Sequence, residues 1–221
     1  MPLFRAVLFD LDQTLYDNDE AREAAALNEL ERLFTPSQIS TLLSLMSALQ
    51  GGLEADGSST DFQSTLRATL PNLSDDAVSF LVSMSAHWLS SMRLNPGADE
   101  LLMRLEGLGI PFGIVTNAPA VQRAKLEHLG LSHRTTCIFI SDEFGCEKPD
   151  TSIFLAAAIT LGVLPEQILF VGDSAEADIL GAKRAGMRAA WVRRSQTWPS
   201  GGLIPLPDYV IDSLCELSVL F

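Results

Sequence analysis

Four short polar clusters carry the side chains with chemical reach: Asp10-Leu11-Asp12-Gln13-Thr14, Thr116-Asn117, Lys148-Pro149, and Gly172-Asp173 with Asp178. Asp10 and Asp12 are separated by one residue, so a backbone leaving a strand can present both carboxylates on one face. One carboxylate can attack an electrophile while the other moves the proton of a leaving or entering oxygen. The Thr116 hydroxyl and the Asn117 amide are donors for a developing oxyanion, and Lys148 brings a point charge. Taken singly, each cluster is ordinary. An aspartate after a strand commonly caps a helix, Thr-Asn is a common turn, and an isolated lysine is usually solvated. Other reactive-looking residues read more plainly. Cys146 is an incidental buried thiol, His87 and Trp88 are packing, and Arg193 and Arg194 are a solvated strand end.

The clusters gain meaning from the elements that precede them. Short, unalternating apolar runs recur at Ala6–Phe9, Pro111–Val115, Cys137–Ile140, Ile168–Val171 and Arg188–Val192. This pattern predicts strands covered on both faces of a parallel sheet. Helical stretches alternate with them over 97–105, 120–129, 151–161 and 175–185, each followed closely by glycine. A short strand near Tyr209-Val210-Ile211 and a helix from Asp212 or Ser213 end the chain, after a Pro- and Gly-containing loop over 195–207. The expected fold is α/β: a Rossmann-like doubly wound parallel sheet over residues 1–16 and 95–221. In such sheets ligands bind beyond the carboxyl ends of the strands, where all four clusters fall. Residues 17–94 break the rhythm. They predict an inserted all-helical cap domain with helices over Asn18–Phe34, Ser37–Gln50, Asp61–Leu70 and Ser74–Met92, and a loop over Gly51–Thr60. Ser74 or Asp75 is the expected cap of the last helix.

Phe9-Asp10-Leu11-Asp12-Gln13-Thr14-Leu15 resembles the first motif of the haloacid dehalogenase superfamily. Val115-Thr116-Asn117 is similar to its second motif, and Glu147-Lys148-Pro149-Asp150 to its third. Val171-Gly172-Asp173-Ser174-Ala175-Glu176-Ala177-Asp178 is similar to its fourth. The insert lies between the first two motifs, where that family carries a helical cap. The resemblance implies the phosphatase branch. Asp10 would form an aspartyl-phosphate, Asp12 would serve as acid and then base, and Thr116, Asn117 and Lys148 would hold the phosphoryl group. It also implies metal ligation by Asp10, the Asp12 carbonyl and Asp173, with Asp178 at or beside the metal.

Charge arithmetic points the same way. A phosphate of charge ~−2 would meet four carboxylates and one lysine. Unit charges 4 Å apart interact by ~4 kcal/mol at an effective dielectric near 20, so the cluster would repel its substrate without a cation. A hard divalent ion with oxygen ligands relieves this, and Mg²⁺ is the expected cofactor. The carboxylate at Asp12 separates this chain from dehalogenases, which by the resemblance need no acid there, and nothing suggests the membrane helices of a pump. Hydrolysis of a small phosphate ester is the leading expectation. A sugar phosphomutase, or a binding protein that keeps the fold without catalysis, is the alternative. The Tyr16-Asp17-Asn18 string and the cap are expected to set substrate preference, with the cap a mobile lid and Gly97 absorbing rotation.

Composition bounds the remaining possibilities. Lys+Arg 15 against Asp+Glu 28 leaves a net charge of −13, which argues against a nucleic-acid or anionic-membrane surface. Three widely spaced cysteines form neither a disulfide framework nor a zinc motif. The start lacks a secretory pattern, and no apolar run approaches the ~18 residues of a membrane span. A cytoplasmic enzyme is expected.

Overall fold

The protein is described by a computed structural model covering residues 3–16, 93–118, 122–194 and 196–221, with scattered positions between 34 and 81. Six strands pair in it: β1 (Ala6–Phe9), β2 (Phe112–Thr116), β3 (Ile138–Ile140), β4 (Ile168–Gly172), β5 (Arg188–Val192) and β6 (Tyr209–Ile211). Every pairing is parallel, in the order β3-β2-β1-β4-β5-β6. This is the doubly wound arrangement expected, with β1 beside the point where the winding reverses. All residues of β1, β2 and β4 are buried, which is why their sequences do not alternate. Register brings the carboxyl ends level, since Phe9 pairs with both Ile114 and Val171.

The chain divides into two compact units. One comprises Met1–Asp17, Arg93–Pro119 and Leu131–Phe221, and the other Asn18–Met92 and Ala120–Gly130. In the second unit Leu66, Val78 and Leu81 are buried, and the Ser74 hydroxyl accepts from the Ala77 amide at 3.2 Å, as a helix cap does. The predicted helix over Asn18–Phe34 apart from the buried Phe34, that over Ser37–Gln50, the Gly51–Thr60 loop, and His87 and Trp88 lie outside the described residues, as do parts of the other two predicted helices. No helix among the described residues is long and apolar enough to cross a membrane.

In the first unit, α1 (Ala98–Leu108) buries Leu101, Leu102 and Leu105 on one face and stops at Gly109, which is left-handed at φ 67°. Gly97, φ 81°, opens this helix, and a Cβ there would lie 2.3 Å from Cys215 Sγ. Both the left-handed backbone and the close approach of Cys215 require glycine at this position. Just before it, Leu94 bridges Tyr16 in antiparallel fashion. Asn95 adds two bonds, its amide N–H to the Leu15 carbonyl at 2.8 Å and Nδ2 to the Thr14 carbonyl at 2.6 Å.

α2 (Thr151–Leu161) starts at Asp150, whose carboxylate accepts from the Ser152 amide, and ends at Gly162. The expected helix over 175–185 takes another form. Ala175–Leu180 is π-helical and only Gly181–Arg184 is α-helical. The Ser174 carbonyl accepts from both the Asp178 and Ile179 amides, at 3.0 and 3.1 Å, which widens the turn. The terminal turn Leu214–Leu220 is 3-10 rather than α-helical, and Ser213 and Glu216 close it as a capping box.

Candidate active site

Asp10 leaves β1 into the switch point, its amide donating to the Val171 carbonyl at 2.9 Å. Lys148 reaches the same place from a segment 138 positions away. Its ammonium donates to Asp10 Oδ1 at 2.6 Å, Asp178 Oδ1 at 2.7 Å and the Val115 carbonyl at 2.9 Å. All three protons of the ammonium are thus engaged. The Phe170 ring lies beneath it, 5.5 Å from Nζ to the ring centre. The three side chains are almost wholly enclosed, Asp178 being 1% exposed. A charge buried this deeply is tolerable because it is paired and hydrogen-bonded.

Two local devices hold the lysine. The Asn117 side chain binds the Lys148 backbone both ways, Nδ2 to its carbonyl and Oδ1 from its amide, each at 2.8 Å. Asp178 is fixed from the other side, Oδ2 accepting from the Ser174 amide at 2.9 Å. The widened turn after β4 carries this carboxylate, and Gly172 makes room for it. A Cβ at 172 would lie 2.3 Å from Asp178 Oδ2. Gly172→Ala must therefore displace the partner of Lys148. The expected cost is about 1–3 kcal/mol of stability, read as a lowered urea midpoint with an unchanged slope.

Oxygens of Asp10, Asp173 and Asp178 lie within 4.8 Å of one another. Their chemistry, hard anionic oxygens from two adjacent strand ends, fits a divalent metal ion. Burial raises the Asp173 carboxyl to about 6, the Asp178 charge adds to the rise, and Lys148 and Arg194 oppose it. Asp10 is also pushed well up, chiefly by burial and against the pull of Lys148. Burial alone would lower Lys148, but Asp10 and Asp178 raise it further, so it stays charged. A raised carboxyl in the folded state means that the native protein holds a proton the unfolded chain releases. Metal-free protein is therefore expected to lose stability from Asp173 as pH rises from about 4 through about 6. Saturating divalent metal should flatten that dependence, because ligation takes the ionised form. Melting curves from pH 4 to 8, with chelator and with metal, check this. Equal slopes in both series would refute it.

Of the residues the sequence singled out, Asp10, Lys148 and Asp178 are in direct contact, Asp173 joins them within the carboxylate cluster, and Asn117 grips Lys148. Thr116 is buried at the end of β2, next to the carbonyl that receives Lys148. Asp12 is half-buried in the loop after Asp10, and its carboxylate is outside the cluster. Two residues gained unexpected importance. Trp191 on β5 donates Nε1–H to the Asp173 carbonyl at 2.7 Å, and Arg194 donates Nε–H to the Gln13 carbonyl at 2.7 Å. Arg194 is not the solvated strand end expected. No local pattern announces this, because the contact spans 181 positions.

The profile of haloacid dehalogenase-like hydrolases matches residues 4–186, and the chain belongs to that family. Glyceraldehyde 3-phosphate phosphatase of Methanopyrus kandleri is 36% identical, covering 97% of this chain and 96% of its own. Among solved structures, a HAD phosphatase from Thermococcus onnurineus superposes with TM-score 0.68 at 26% identity, over 98% of this chain and 97% of that one. The HAD-hydrolase YfnB from Bacillus subtilis, bound to magnesium and showing interdomain movement, gives TM-score 0.64 at 27% identity, over 98% of each chain.

Proposed function

We propose that the protein is a Mg²⁺-dependent phosphomonoester hydrolase of small phosphorylated metabolites, working through an aspartyl-phosphate on Asp10. The observation that carries this reading is the buried Lys148 ammonium, held between Asp10 and Asp178 with Asp173 alongside. An Asp10 oxygen attacks phosphorus, and the ester oxygen leaves with a proton from Asp12. Asp12 then takes a proton from water as that water attacks the phosphoryl group, which frees Asp10 and inorganic phosphate. The Thr116 hydroxyl and the Asn117 amide donate to phosphoryl oxygens. Lys148 balances the charge, and a phosphoryl oxygen takes over one of its three present bonds. Asp10, the Asp12 carbonyl and Asp173 would hold the metal, with Asp178 beside or on it. Bound there, the ion supplies positive charge that draws the phosphate in and keeps Asp10 ionised.

Residues 17–94 are assigned to a helical cap that selects the substrate and moves during turnover, a reading supported by the interdomain movement of the Bacillus subtilis relative. The Methanopyrus kandleri relative makes short sugar phosphates the first substrates to test. Three free cysteines support a reducing cytoplasm, and the net charge of −13 supports small-molecule rather than nucleic-acid partners. The test is phosphate release from a panel of sugar, amino-acid and nucleoside monophosphates, with Mg²⁺ and with chelator. At least one is expected to turn over with kcat/KM of about 10⁴ M⁻¹s⁻¹ or more, and chelator should abolish it. Absence of turnover across the panel and with p-nitrophenyl phosphate would overturn the reading.

A further inference from the structure

β5 carries none of the four clusters, yet its exit touches two of the acidic loops. Trp191, the penultimate residue of the strand, holds the Asp173 carbonyl at 2.7 Å. Arg194, two residues beyond the strand, holds the Gln13 carbonyl at 2.7 Å. Gln13 lies between Asp12 and Thr14, in the turn where the Thr14 and Tyr16 amides both donate to the Leu11 carbonyl. Gln13 has φ 62° and Arg194 φ 45°, and they are the non-glycine residues in the left-handed region among the described residues. Side chains with a Cβ disfavour that region, so both residues need outside support to stay there. One hydrogen bond joins the two strained positions.

We propose that Arg194 is a positioning residue, holding the Gln13 peptide in its left-handed turn so that Asp12 keeps its place beside Asp10, while Trp191 steadies the Asp173 loop from the same strand end. The guanidinium is suited to this task. Its planar Nε–H meets the Gln13 carbonyl at 2.7 Å, and its charge strengthens a bond to a carbonyl. Without it, residue 13 relaxes toward negative φ. The peptide planes on either side swing, and Asp12 is attached to one of them. Trp191 is itself braced, 3% exposed with its ring 4.9 Å from that of Trp198. The inference rests on the assignment of Asp10 and Asp12 to the reaction, but its structural half can be read without any activity.

The experiment is Arg194→Ala and Arg194→Lys in the full chain, followed by hydrogen exchange and by steady-state kinetics. Loss of one charge-assisted bond predicts about tenfold faster exchange at the Thr14 and Tyr16 amides, with β1 and β4 unchanged. It also predicts about tenfold lower kcat with KM within about threefold, the pattern of a misplaced acid rather than a lost binding contact. Arg194→Lys, which keeps the charge but not the planar Nε–H, should recover only part of both. If Arg194→Ala does not fold, Arg194→Met keeps the side-chain stem and is judged by the same two readings. Unchanged exchange at Thr14 and Tyr16, or faster exchange spread equally over β1 and β4, overturns the proposal. Slower turnover with unchanged exchange overturns it too. Failure of the exchange reading in an active enzyme leaves the phosphatase reading intact. A protein that hydrolyses no phosphate ester still reports whether Arg194 holds the turn.

Discussion

Asp10→Asn is expected to lower kcat by at least ~10³-fold while leaving the protein folded. An amide of the same shape can still accept from Lys148 through Oδ1, so the 2.6 Å contact has a surviving partner. Lys148 also keeps Asp178 and the Val115 carbonyl. The melting temperature should therefore change by only a few degrees, on the scale of about 1 kcal/mol in a domain of this size. The amide cannot form the covalent intermediate, so rapid-quench mass spectrometry should find a phosphorylated species in the native enzyme and none in the variant. Turnover within tenfold of native would remove Asp10 from the nucleophile's role.

Lys148→Met should be the more damaging change to the molecule as a whole. It leaves Asp10 and Asp178 buried together, with Asp173 within 4.8 Å and no cation among them. Removing one partner of a buried ion pair typically costs about 3–5 kcal/mol, because the remaining charge stays desolvated. Here the carboxylates can escape part of that cost by taking up protons, so the loss should be greater at pH 8 than at pH 5. A divalent metal can replace the missing charge but not its position. Saturating Mg²⁺ is therefore expected to recover much of the melting temperature while kcat stays about 10² or more below native. Melts at both pH values, with and without Mg²⁺, check this. A variant as stable as the native protein at pH 8 without metal would show that the lysine is not the cation the cluster depends on.

Strands covered on both faces leave uninterrupted apolar runs, so β1, β2 and β4 were readable, and with them the ends on which Asp10, Thr116 and Asp173 sit. Lys148, ordinary as a lone lysine, stood out by its place among the four polar clusters as well as by the motif resemblance. What escaped depends on register and backbone conformation. The Asn117 grip on Lys148 needs two segments 31 positions apart to meet, and Asn117 read only as a donor for phosphate. The π-helical turn at Ala175–Leu180 has the composition of an ordinary helix, and its width comes from one carbonyl shared by two amides. Arg194 was misread because a positive side chain after a strand is usually solvated, and nothing nearby marks its left-handed backbone.

The bridge between Tyr16 and Leu94, with Asn95 bonded to Thr14 and Leu15, puts the exit and re-entry of the long insertion at neighbouring points of one seam. Seen from the sheet, the chain resumes almost where it left off. A splice of this kind asks little of the core, since a short closed seam can accept segments of many lengths at small entropic cost. The segment between the two sides of the seam can therefore change in length without rebuilding the sheet end that carries Asp10. The same seam sits on the residues that follow Asp12. Any such change must still close the Asn95 bonds to Thr14 and Leu15, immediately after the turn that holds Asp12.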